Sequence, residues 1–160
     1  MASPPIYKIF GVSLTGELDV LAAITDAPAA YINTLFSTEN YLILTIWQAD
    51  FKQQGKNLLS TFGSWDPNRK TLFYVPKAGG GVTAKYISDD AFFAFHEVNS
   101  FEDESEAINI DIPRMENLGF PTVTRIQNLR TNLGSKTNVS PSIVYPPIRT
   151  FLCPPTAVRK

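Results

Sequence analysis

Proline and glycine punctuate this chain too often for long helices to form. Twelve prolines and nine glycines are spread over 160 residues. Each proline removes a backbone donor and fixes φ, and each glycine weakens a helix interior. Between these breaks lie short runs rich in aromatic and β-branched residues, which fit a pleated, half-buried surface. Eleven phenylalanines, six tyrosines and two tryptophans strengthen that bias. The runs recur at roughly 8–12 residues with turn signals between them, which predicts an all-β fold of sandwich, barrel or propeller type with little helix.

The runs can be placed individually. Tyr7 to Val12 and Asp19 to Ile24 flank Thr15-Gly16-Glu17. Tyr31 to Phe36 and Tyr41 to Trp47 are expected as strands joined through Ser37-Thr38-Glu39-Asn40. The run from Tyr41 to Trp47 is nearly continuous in apolar character, as in a strand buried on both faces. Asp50 to Trp65 is more polar, with room for one helical turn near Asn57 to Phe62, and Asp66-Pro67-Asn68-Arg69 is a turn signal. Leu72 to Val75 and Val82 to Tyr86 read as a hairpin around Lys77 to Gly81. Ala91 to Val98 is expected as a strand carrying His96, and Ala107 to Ile112 as a strand stopping at Pro113. Met115 to Leu133 is ambiguous. The tail over 140–160 is proline-rich, with Ile143 to Tyr145 and Ile148 to Leu152 as weak strands.

At 44 % hydrophobic and 18 % charged residues, the chain can bury a core and is read as a single segment over 1–160. It enters β-type sequence almost at once and has no capping element at its end, so it reads as cut from something larger. Fourteen basic residues against fifteen acidic ones give a net charge of −1, and no basic cluster offers a footprint for nucleic acid. The apolar runs are too short for a transmembrane segment, and Met-Ala-Ser-Pro-Pro lacks the basic start and apolar stretch of a signal peptide. Cys153 is the single cysteine, which excludes an internal disulfide and a thiolate cluster. A cytoplasmic location is expected.

Most motif-like stretches have a plain reading. Gly79-Gly80-Gly81 lacks the Lys-Ser/Thr and helix start of a phosphate loop and is a hairpin turn. Asn138-Val139-Ser140 fits a glycosylation acceptor only by chance without a secretory signal. Glu102, Asp103, Glu104 and Glu106 lack the spaced ligands of a calcium loop and are expected as a solvated turn. No nucleophile elbow is present, and Cys153 could partner His96 only from within the proline-rich tail. His96 is the only histidine; by pattern alone, such a residue is more often structural than a metal ligand.

Two longer stretches alter that weighting. Phe95-His96-Glu97-Val98-Asn99-Ser100-Phe101-Glu102 resembles the Phe-His-x-x-Asn-x-x-Glu motif of the carotenoid cleavage oxygenases. Tyr31-Ile32-Asn33-Thr34-Leu35-Phe36-Ser37-Thr38-Glu39-Asn40-Tyr41 is similar to that family's Tyr-x-His-Ser-Phe-x-x-Thr-x-Asn-Tyr segment, in the same order along the chain. The Gly81 to Tyr86 strand also fits, and the region from Ile108 to Arg130 is similar to the fungal branch acting on torulene and related carotenoids. The resemblance implies a partial seven-bladed β-propeller of short antiparallel strands. It further implies Fe(II) held by four histidines, with O2 cleaving a polyene double bond of a carotenoid or apocarotenoid in an apolar tunnel. His96 matches one ligand position. A second falls on Asn33, whose amide oxygen is a poor substitute for imidazole, and no other histidine is available. Fe(II) is therefore not expected to be retained by this chain alone, and the segment is expected to be inactive by itself. The family also implies peripheral membrane association of the full-length protein. A non-catalytic isoprenoid-binding module and a purely structural β module remain as alternatives.

Overall fold

A computed structural model describes residues 7–50, 65–77, 81–94, 96–115 and, for the backbone, 148–153. Every regular element among them is a strand. They are β1 (Tyr7–Val12), β2 (Leu18–Ile24), β3 (Phe36–Ser37), β4 (Leu42–Ile46), β5 (Leu72–Lys77), β6 (Gly81–Ile87), β7 (Asn99–Glu102), β8 (Ile108–Pro113) and β9 (Ile148–Cys153). They form a ribbon β1-β2, a four-stranded sheet β3-β4-β5-β6 and a three-stranded sheet β7-β8-β9. All pairings are antiparallel.

The all-β, antiparallel expectation holds, and the described sheets do not close into a ring. The middle sheet is covered on both faces, which explains the apolar run in β4. Ile43, Trp47, Phe73 and Val75 pack with Phe36, Phe92, Phe93, Ile108, Ile110 and Ile112, between the middle sheet and the three-stranded one. Leu44, Ile46 and Tyr74 point the other way and pack with Ile9, Ala22, Ile24 and Ala27 of the ribbon side. Successive residues of β4 and β5 therefore feed opposite cores, as the period of two requires.

The β1–β2 and β5–β6 hairpins follow the sequence closely, whereas β7 lies on Asn99–Glu102, beyond the run expected as a strand and including Glu102 of the expected turn. Pro76 lies in β5 with a register shift between Val75 and Pro76, where a residue without an N–H cannot hold a regular ladder. Pro113 ends β8 as a paired residue opposite Ile148, not just beyond the strand. Ile148–Cys153 pairs along the whole of β8, so this part of the tail completes the third sheet. The Asp66–Arg69 turn closes with the Arg69 amide donating to the Asp66 carbonyl at 3.1 Å.

Two expected strands are replaced by irregular connectors. Only Phe36 of Tyr31 to Phe36 enters a strand; Ala30 makes an isolated bridge to Asp50. From Ala91 to Val98, the described residues form no strand, and Phe93 makes an isolated bridge to Met115. Phe92, Phe93 and Ala94 are each 0 % exposed. Three consecutive buried side chains show a chain passing through the core, whereas a half-buried strand would alternate. The suggested helical turn at Asn57 to Phe62, the stretch 116–133, Ile143 to Tyr145, Asn138 and Gly79-Gly80 lie outside the described residues.

Candidate functional site

The two motif stretches occupy equivalent places in adjacent sheets. Asn33 lies on the connector into β3, three residues before Phe36; His96 lies on the connector into β7, three residues before Asn99. Both residues are exposed.

Each connector is anchored on its upstream side. The Tyr7 hydroxyl donates to the Pro28 carbonyl and accepts from the Ala30 amide, both at 2.7 Å. Burial raises the Tyr7 phenol above its ordinary value, more than the Ala30 hydrogen bond lowers it. The Tyr31 amide donates to the Ala49 carbonyl at 2.7 Å. On the other connector, the Thr71 hydroxyl donates to the Phe92 carbonyl at 3.0 Å, and Phe93 and Met115 exchange two backbone bonds at 2.8 and 2.7 Å.

Trp47 joins the two. Its Nε1 donates to the Tyr31 carbonyl at 2.9 Å, two residues before Asn33. Its ring meets Phe93 edge-on, with centroids 6.1 Å apart, three residues before His96.

A second set of links joins them downstream. The Ser100 hydroxyl donates to the Ser37 carbonyl at 2.8 Å, and both serines stand four residues after their motif position. The Asn40 backbone amide donates to Glu102 Oε1 at 2.8 Å, and Asn40 Nδ2 donates to Oε2 at 2.9 Å. Partial desolvation, the largest single influence, pushes the Glu102 carboxyl up, but hydrogen bonds from Thr38 and Asn40 outweigh it and hold the group below its ordinary value. Both links follow chain order, Ser37 then Asn40 on one side and Ser100 then Glu102 on the other. Asn33 and His96 thus sit on neighbouring connectors between shared anchors.

The donor set is sparse. Among the described residues, no group of three or more His, Cys, Asp or Glu side chains could hold a metal ion. One imidazole and an exposed amide do not make a ferrous centre, so these residues by themselves do not fit the iron that the resemblance implies. Cys153 ends β9, its backbone paired with Ile108. The acidic stretch forms the β7–β8 turn: Asp103 Oδ1 accepts from the Ser105 amide and hydroxyl and the Ala107 amide, and Oδ2 from Asn109 Nδ2. That role accounts for Asp103 without a cation.

Four of the described aromatic residues pack on one another in the core. Phe73 and Phe92 stack at a tilt with centroids 6.2 Å apart, next to the Trp47–Phe93 pair. An open groove of about 380 Å³ among the described residues is mainly polar, lined by Trp65, Lys70, Asp89, Asp90 and Arg114 among others. Arg114 is held there by Asp90 at 3.2 Å and lies over the Phe92 ring. No described helix is long and apolar enough to cross a membrane.

The anchors Trp47, Asn40 and Glu102 escaped the sequence reading as a set. Asn40 and Glu102 each stood inside a motif, but 62 residues separate them and no local pattern pairs them.

The profile of the retinal pigment epithelial membrane protein family matches residues 1–149. The chain belongs to that family, the carotenoid oxygenases. A carotenoid dioxygenase of Neurospora crassa is 35 % identical over 68 % of this chain, and a torulene dioxygenase of Fusarium fujikuroi is 34 % identical over 64 %. A mitochondrial carotenoid-cleaving dioxygenase of Homo sapiens is 31 % identical over 79 %. The chain spans 19 % of the length of each fungal relative and 24 % of the human one.

Proposed function

We propose that this chain is a segment, over 1–160, of a carotenoid-cleaving dioxygenase whose longer relatives act on a polyene with Fe(II) and O2, and that it has no cleavage activity by itself. The observation that carries the reading is the equivalence of the two motif connectors. Each presents one position between shared anchors, Trp47 upstream and the Ser37–Ser100 and Asn40–Glu102 links downstream. In this reading His96 is an iron-ligand position and Asn33 a second that has lost its imidazole. An amide oxygen binds ferrous iron far more weakly than imidazole does, and two positions would be too few in any case. Three face-to-face antiparallel sheets suit neighbouring blades of a propeller that a longer chain would close. A cytoplasmic location, with peripheral membrane association of the full-length protein, belongs to the same reading.

The test is direct. The purified chain is loaded anaerobically with Fe(II), desalted, and assayed for iron and for aldehyde products from torulene or another carotenoid in air. Sub-stoichiometric iron and no product are expected. One iron per chain together with an aldehyde product would overturn the reading.

A further inference from the structure

We propose that Glu102 is a positioning residue, whose carboxylate, by accepting both Asn40 hydrogen bonds, sets the register of the two connectors and so the placement of His96 beside position 33. The inference rests on the reading of those two positions given above.

The Ser100–Ser37 bond fixes one point between β3 and β7. One point leaves the two segments free to pivot. The Glu102 carboxylate supplies two more points, taking the Asn40 backbone N–H on one oxygen and the side-chain N–H on the other. Hydrogen bonds to an ionised acceptor are shorter and stronger than neutral ones, and a bidentate pair also fixes orientation. The link joins the β3–β4 turn to the end of β7, so it acts at the ends of both hairpins away from Asn33 and His96. Trp47 holds the opposite ends of the connectors, through Tyr31 and Phe93. With Trp47 on one side and Glu102 on the other, neither connector can slide along its neighbour. Two features make the role specific to a carboxylate at position 102. Alanine leaves both Asn40 donors without this acceptor. Glutamine offers one acceptor and turns its own N–H2 toward the Asn40 donor. Exchanging the partners, with Asn40→Asp and Glu102→Gln together, rebuilds both bonds: the glutamine oxygen accepts from the backbone amide, and its N–H2 donates to the introduced carboxylate.

The natural histidine count of one makes a clean readout possible. Asn33→His places a second imidazole on the neighbouring connector, and Ni2+ serves as the probe because it favours imidazole. Ni2+ titration of the Asn33→His chain should show tighter binding than the unsubstituted chain, with both imidazoles shifted in the nitrogen NMR spectrum. Adding Glu102→Ala should weaken Ni2+ several-fold, less than the roughly 10–100-fold that follows loss of a group bonded directly to a ligand, because Glu102 acts through Asn40. Adding the exchanged pair instead should restore it. Circular dichroism follows folding of each variant; should Glu102→Ala unfold the chain, Glu102→Gln and the exchanged pair carry the comparison. Unchanged Ni2+ affinity when the carboxylate is removed from a folded chain would overturn the positioning role and leave the pairing of the two positions intact. No gain from Asn33→His would overturn that pairing itself, and the role of Glu102 with it.

Discussion

Two residues in equivalent turns show how much a single side chain can settle. In the β1–β2 hairpin, the Ser13 amide donates to the Glu17 carbonyl at 2.9 Å and the Gly16 amide to the Ser13 carbonyl at 3.0 Å. The β7–β8 hairpin repeats this with Asp103, Glu106 and Ala107, at 3.0 and 2.8 Å. Both turns need a left-handed residue; the first uses Gly16 at φ 85° and the second Glu106 at φ 63°. A side chain in that region costs about 1–2 kcal/mol, part of which glycine returns as unfolded-state entropy. Glu106→Gly should therefore stabilise by up to about 1 kcal/mol and Gly16→Ala should destabilise by a similar amount, as urea unfolding midpoints would show. Asp103 organises the same turn. Hydrogen bonds from Ser105, then Asn109 and the Ala107 amide, lower its carboxyl from 3.8 to about 2. The native pKa lies below the ordinary one, so the contribution is fully present above pH 3.8 and is lost as pH falls through about 2. The Asp103 carboxyl carbon should titrate near 2 by NMR, and Asp103→Ala should remove the acid-side loss of stability that accompanies it.

At the scale of elements, β4 is the strand on which both cores depend. Ile43, Leu44, Thr45 and Ile46 are all buried, two sheets pressing on it from opposite sides. Within it the Thr45 hydroxyl is buried without a hydrogen-bond partner among the described residues. Leaving such a group dry and unpaired costs about 1–3 kcal/mol, so Thr45→Val should raise stability by roughly 1 kcal/mol or more, read from the unfolding midpoint at unchanged m-value. The buried character of β4 was legible because only Thr45 interrupts its apolar run, and the β1–β2 and β5–β6 hairpins were legible because turn residues bound them; β7 was not, since the expected strand stopped at Val98 and Glu102 was read as part of the turn. The same rule misled at Ala91 to Val98. An apolar run reports burial, and Phe92, Phe93 and Ala94 are indeed buried, but it does not say whether backbone partners lie alongside. Tyr31 to Phe36 failed for the same reason: Tyr31 is secured by Ala49 and Trp47, not by a ladder. The candidate site was legible as two motif positions, Asn33 and His96. Their common anchoring was not, because Trp47 and the Asn40–Glu102 link act across sheets that no local spacing encodes.

At the scale of the whole molecule, the described residues leave one layer half covered. The inner face of the β1-β2 ribbon packs against the middle sheet through Ile9, Ala22 and Ile24. Its outer face carries the cross-strand pairs Phe10–Val20 and Val12–Leu18, with exposures of 49, 51, 68 and 70 %. Leu14 stands fully exposed at the tip between them. The ribbon has no third strand among the described residues. Scattered exposed apolar residues are ordinary on any surface, but five gathered on one two-stranded ribbon whose edges no other described strand pairs form a template for association. Glu17 and Asp19 lie close by in sequence, too few charges to keep another apolar ribbon away. The isolated chain should therefore self-associate as its concentration rises, even where its two cores remain folded. Val12→Lys with Leu18→Glu places an opposite-charge pair at facing positions of the outer face, which keeps the hairpin register while charging the surface. That double variant should stay monomeric in sedimentation velocity at concentrations where the unsubstituted chain forms larger species. Its stability should change by no more than about 0.5 kcal/mol, because the substituted side chains are exposed. Equal association by both chains would mean that contact occurs elsewhere, and a large loss of stability would mean that the outer face already packs within the fold.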